Sequence, residues 1–96
     1  MKVMAIASPT AAMNPDTLKP HMPAEVPHTL QLYLDGTIDQ FWFRERKGPI
    51  FLMNVETEDQ AHVVLNTLPL VKASLMTYEV MQVGPLMPLG RLIQPQ

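Results

Sequence analysis

The spacing of apolar and polar residues predicts six principal elements. Lys2 to Ser8 is a short apolar run stopped by Pro9 and reads as a buried strand. Residues 9 to 24 hold prolines at positions 9, 15, 20 and 23. They read as a loop with one helical turn at Asn14-Pro15-Asp16, where asparagine caps and proline suits the first helical position. From Glu25 to Leu34, the apolar residues Val26, Leu30, Tyr33 and Leu34 recur at helical spacing. Pro27 lacks the donor for the residue four back, so it fits only where that helix is still starting. Asp35-Gly36 ends the helix, with glycine supplying the left-handed residue. Ile38 to Arg46 is a second strand, Lys47-Gly48-Pro49 a turn, and Ile50 to Val55 a third strand. A connection that short makes the pair an antiparallel hairpin. Thr57-Glu58-Asp59-Gln60 has the spacing of a capping box and opens a helix. That helix carries Ala61, Val64, Leu65 and Leu68 on one face, and Pro69 closes it. Leu75 to Val83 is the fourth strand, ended by Gly84-Pro85.

Strand, helix, strand, strand, helix, strand is the split arrangement of ferredoxin-like α+β folds, with a four-stranded antiparallel sheet. Both helices cover one face of such a sheet, and the other face is left bare. Residues 41–46, "FWFRER", fit that geometry. In a strand, Phe41, Phe43 and Glu45 point one way, and Trp42, Arg44 and Arg46 the other. Phe41 and Phe43 suit the helix-covered face, which puts Trp42 on the bare one. A bare face carrying tryptophan calls for a partner, either a ligand or a second sheet. Two sheets face to face make a dimeric α/β barrel around a shared cavity.

Composition sharpens this expectation. At 96 residues the chain is one domain, with a core over about residues 2–86 and an apolar arm over 87–96 available to lie on a neighbouring subunit. A domain this small buries about 60–65% of its unfolded surface. Charged residues make up 17% of the chain against about 25% in typical globular proteins, so little charge is available to cover a monomer. The expected partner is a second copy of the chain, as a homodimer or higher homo-oligomer. Net charge is −2, and no basic run extends beyond Arg44, Arg46 and Lys47, which argues against nucleic acid as a partner. With no cysteine there is no disulfide framework, zinc-thiolate site or thiol nucleophile. No apolar run is long enough to span a membrane. The opening "MKVMAIASPTAAM" has a leader's flavour, but its apolar run is too short and breaks at Ser8-Pro9. A cytoplasmic protein is expected.

Three stretches, "DGTIDQFWFRE", "FLMNVETEDQAHVVLNTLPL" and "MTYEVMQVGPL", resemble the muconolactone isomerase family. The resemblance is carried by Gly36-Thr37, Trp42, Leu68-Pro69-Leu70 and Glu79-Val80, and covers roughly residues 25 to 85. It implies a dimeric α/β barrel and a cofactor-free enzyme that shifts a double bond in a lactone by taking and returning a proton. Counting back from Gly36-Thr37, Glu25 matches a glutamate on the family's first helix. The proline-rich segment before Glu25, together with Pro27 and His28, departs from the family.

Glu25 is the first candidate for chemistry. A partly desolvated carboxylate has a raised pKa and works as a base near neutrality, although an acid near a helix N-terminus also has a structural reason to be there. His28 lies three residues on, on the same helical face, placed either to relay a proton or to face solvent. Trp42 and Arg44 suit a ligand wall, tryptophan for a ring and arginine for a carboxylate. Equally, Trp42 suits the dimer interface, with Arg44 pairing Glu79 across the sheet. Glu79 is the remaining polar candidate for the pocket. Asn54, alone in an apolar strand, needs a partner, whether a ligand carbonyl or a loop backbone. Tyr33 and Tyr78 read as core or edge residues. No metal site is expected: His21 and His28 would stand about 10 Å apart along a helix. The resemblance implies no cofactor, and phosphate-loop, serine-elbow and paired-carboxylate motifs are all missing. With the resemblance, these residues favour a small cofactor-free isomerase or cyclase acting on a cyclic or aromatic-derived molecule in an interface cavity. They leave open a non-catalytic small-molecule-binding or accessory protein of the same fold, and a cofactor-independent monooxygenase.

Overall fold

The computed structural model describes residues 2–84. Its elements are β1 (Lys2–Pro9), α1 (Pro15–Leu18), α2 (Met22–Leu34), β2 (Ile38–Arg44), β3 (Gly48–Met53), α3 (Glu58–Leu65), α4 (Pro69–Lys72) and β4 (Met76–Val83). The strands form one antiparallel sheet in the order β2-β3-β1-β4. This is the expected α+β ferredoxin-like topology. The arm expected over 87–96 lies outside the described residues.

The period of two along each strand decides which side chains meet the helices. On β1, Val3, Ala5 and Ala7 are buried, and on β3 so are Phe51 and Met53. Ala61 and Leu65 of α3 and Leu68 beyond it close over them. Fully burying one large apolar side chain is worth about 1.5–3 kcal/mol, so this layer holds the helices to the sheet. A second cluster gathers Ala7, Leu70, Leu75 and Met76 at the end of the sheet where β1 leaves it, with Met13, Leu18 and Met22 packed against them. The proline-rich segment therefore plugs one end of the core. Asn14 starts that plug by accepting hydrogen bonds from the N–H groups of Asp16 and Thr17. The alanines of β1 leave room above the sheet, and there the rings of Phe51 and Tyr78 stack at 5.6 Å and 21°.

Four details differ from the sequence reading. The helix around Glu25 begins earlier, at Met22, after a 3-10 turn over Lys19–His21, and holds Pro27 within its length. Its apolar stripe of Val26, Leu30, Tyr33 and Leu34 faces outward, Leu34 being 67% exposed. The inward side carries Glu25 and Leu32 instead. Pro69 does not merely close α3. It occupies the first turn of α4, where its missing N–H costs nothing. Finally, β2 ends at Arg44 and a bulge lies between Ile38 and Gln40. Phe41 still pairs with Phe51 and packs on Tyr33 of α2 at 5.0 Å, but Phe43 is 77% exposed rather than covered by a helix.

Candidate active site

Glu25 sits in the first turns of α2 and points beneath them. It is 7% exposed, the sole buried charged or polar residue among those described. Its Oε1 accepts a hydrogen bond from the Leu70 N–H at 3.0 Å. Leu70 lies in the first turn of α4, where backbone N–H groups have no helical partner, so the carboxylate supplies one. Burial pushes the Glu25 carboxyl above its usual range. The Leu70 N–H, the neighbouring His28 and His21, and the Thr29 hydroxyl pull the other way, but burial outweighs them. Among the described residues no ion pair neutralises this carboxylate.

His28, one turn on, stands with its Nε2 2.9 Å from Thr67 Oγ1. The Thr67 hydroxyl donates its single proton to the Val64 carbonyl at 2.6 Å. Nε2 is therefore the nitrogen that carries hydrogen, and Nδ1 is left for another partner. Glu25 to Leu70 and His28 to Thr67 together pin the start of α2 to the loop and turn after α3.

Tyr78 completes the cluster. It pairs across the sheet with Ala7, on the helix-covered side, and its ring is held against Phe51. Its hydroxyl pKa is driven far above the usual phenol value, first by burial and then by the charge of Glu25. The phenol thus stays protonated and able to donate. Sequence reasoning read Tyr78 as a core or edge residue. The signal available was the inward row Met76, Tyr78, Val80, in which Tyr78 alone carries a polar tip. Beside Tyr78, between α3, α4 and the edge strand β4, opens a cleft of about 300 Å³ lined by His62, Asn66, Val71 and Met76.

The other expected site residues lie elsewhere. Trp42 pairs with Ile50 and Glu79 with Ile6, both on the open flank of the sheet, opposite the helices. Arg44 donates to the backbone carbonyls of Ala7, Gly48 and Lys47, tying off the β2–β3 hairpin. It cannot pair with Glu79 within the chain, because β2 and β4 are opposite edges of the sheet. Asn54 is held at the far end, where its Nδ2 donates to the Gly36 carbonyl at 2.8 Å and its Oδ1 accepts from Lys2 at 2.9 Å. Lys2 also pairs with Asp39 at 2.7 Å. Of the six candidates, then, Glu25 and His28 come together, while Trp42, Arg44, Asn54 and Glu79 do not join them within one chain. Among the described residues no group of three or more histidine, aspartate or glutamate side chains is placed to hold a metal ion.

Neither a protein-family model nor a curated protein matches the sequence. Solved structures do. A muconolactone isomerase superimposes with a TM-score of 0.69 at 19% identity, over 88% of this chain and 90% of that one. The chain has the muconolactone isomerase fold. A second structure of the same fold is 5-chloro-2-hydroxyhydroquinone dehydrochlorinase from Burkholderia phenoliruptrix, in complex with 2,5-dihydroxybenzoquinone. It aligns with a TM-score of 0.65 at 18% identity, over 88% of this chain and 94% of that one. At these identities the likeness to the muconolactone isomerase fold is one of architecture, and the chemistry has to be argued from this chain's own residues.

Proposed function

We propose that this chain is a small cofactor-free enzyme that moves a proton on a cyclic, oxygen-bearing small molecule, with Glu25 as the acid–base group and His28 as its relay. The observation that carries the reading is the buried Glu25 carboxylate, without an ion-pair partner among the described residues and with its pKa raised. A base works best when its pKa approaches the working pH, and burial moves Glu25 in that direction. The carboxylate takes a proton from a ring carbon beside a carbonyl. The C–H electron pair passes into the ring as an enolate, and the new carboxylic acid returns the proton at a second carbon. The double bond shifts, no atom is gained or lost, and no outside oxidant is needed. The two structures sharing the fold support this reading, since one is named an isomerase and the other is held with a hydroxylated quinone. A homodimer belongs to the same proposal, as does a cytoplasmic location. Among the described residues no helix is long and apolar enough to cross a membrane.

The test is proton exchange at carbon. α-Angelica lactone, a small unsaturated lactone, is incubated with the protein in D2O, and deuterium uptake and the double-bond shift are followed by NMR. Wild type is expected to accelerate both, and Glu25→Gln to lose that acceleration by roughly 10²-fold or more. Equal rates for the two proteins would remove Glu25 from the mechanism. A folded wild type inert towards both lactones and phenols would favour the binding role instead.

A further inference from the structure

The cleft beside Tyr78 has a composition that selects a class of ligand. Its apolar surface comes from Val71 and Met76, and its polar groups are neutral hydroxyls, an amide and one imidazole. His62 and Asn66 stand four apart across the end of α3, on one face, and neither side chain is hydrogen-bonded to another described residue. The hydroxyls of Thr10 and Thr77 donate to the Ser74 and Ser8 carbonyls, which leaves their oxygens as acceptors. Among the described residues no lysine or arginine lines the cleft, and Arg44, the arginine the sequence offered for a carboxylate, is bound to three backbone carbonyls. A carboxylate entering here would lose water and gain no fixed cation. A neutral ring with hydroxyl or carbonyl oxygens would lose far less. It would find donors and acceptors on two sides, and the volume of about 300 Å³ matches the small end of ligand pockets. Tyr78 lines this cleft and also feels the charge of Glu25. The backbone joins the two places as well, since the N–H that Glu25 holds belongs to Leu70, the residue before Val71 of the cleft wall.

We propose that the cleft between α3, α4 and β4 binds an uncharged ring bearing hydroxyl or carbonyl oxygens. His62 and Asn66 select it, and the Tyr78 hydroxyl donates to the ring oxygen on the side towards Glu25. The link to Glu25 rests on the proton-transfer reading above; the binding site does not.

A matched pair of probes separates the classes. Resorcinol and 3-hydroxybenzoate share a ring and differ in having a neutral hydroxyl or a carboxylate. Each is titrated into isotope-labelled protein at neutral pH, and amide shifts are mapped by NMR. Resorcinol is expected to shift the amides of His62, Asn66, Thr77 and Tyr78, and to bind at least about tenfold more tightly than 3-hydroxybenzoate. His62→Ala, Asn66→Ala and Tyr78→Phe are each expected to weaken it by about tenfold, the worth of one good hydrogen bond. Tyr78→Phe keeps the ring on Phe51, so a loss there reports the hydroxyl and not the packing. Tighter binding of 3-hydroxybenzoate, shifts centred on Trp42 and Ile50 of the open flank, or no shifts at millimolar resorcinol would each overturn the proposal. The two readings fail separately. Cleft shifts without carbon-bound deuterium exchange sink the proton-transfer function and leave the site, whereas exchange with shifts elsewhere does the reverse.

Discussion

Glu25 illustrates how one buried side chain ties stability to pH. Its folded pKa lies above its unfolded one because burial penalises the charge. Between those two values the folded state holds more protons than the unfolded state, so folding is favoured at low pH. The stabilisation is complete below the unfolded value and is lost as pH rises through the folded value. Glu25→Gln keeps an oxygen for the Leu70 N–H and removes the titration. Urea midpoints of the two proteins, measured across this range, are expected to diverge, with wild type losing ground to the variant as pH rises. Parallel curves would show that Glu25 titrates as it does in the unfolded chain. The sequence showed that an acid stood near a helix start. It did not show that the acid faced inward, because the apolar stripe of α2 suggested the opposite side as the buried one. Tyr78 was harder still, since an inward tyrosine is ordinary core until its charged neighbour is known.

At the scale of elements, local patterns were legible wherever local chemistry decides. The Thr57 hydroxyl accepts from the Gln60 N–H, as the capping spacing implies, although the Gln60 side chain reaches back to Glu56 and not to Thr57. Gly36 and Gly48 both take positive φ, +87 and +92. They differ in surroundings. A Cβ on Gly36 would meet nothing within 4 Å, whereas one on Gly48 would come within 3.0 Å of the Met76 Cε and 3.1 Å of the Ala7 Cβ. Both changes strain the backbone, but Gly48→Ala also drives into the cluster beneath Glu25. We expect Gly48→Ala to cost about 1–3 kcal/mol and Gly36→Ala about 1 kcal/mol in urea unfolding. Equal costs would mean that the Gly48 site relaxes freely. Pro69 and the direction of the α2 stripe were not legible, because each depends on which neighbour arrives and not on the segment itself.

For the whole molecule, the element order gave the fold, but not how many surfaces await a partner. The open flank presents Met4, Ile6, Trp42, Ile50, Leu52 and Met81, with Trp42 47% exposed. On the other side, α2 turns Val26, Leu30 and Leu34 outward. A chain with 17% charged residues has little to shield either. Native mass spectrometry is expected to find wild type as a dimer or larger assembly, and Trp42→Glu to shift it towards single subunits. A wild type that stays single at micromolar concentration would contradict the dimer. Trp42→Glu leaving the assembly unchanged would instead move the contact to α2.

The alanines at positions 5 and 7 have a consequence for how this molecule can change. They are the small residues of a central strand, and the stacked rings of Phe51 and Tyr78 occupy the room they leave. Extra carbon on that strand would crowd the rings from below, while trimming Phe51 would let them settle. Either change alters the space between the sheet and the helices without replacing Glu25 or His28. The room inside the fold and the Glu25–His28 pair are thus set by different residues, and descendants of this chain could change the one while keeping the other.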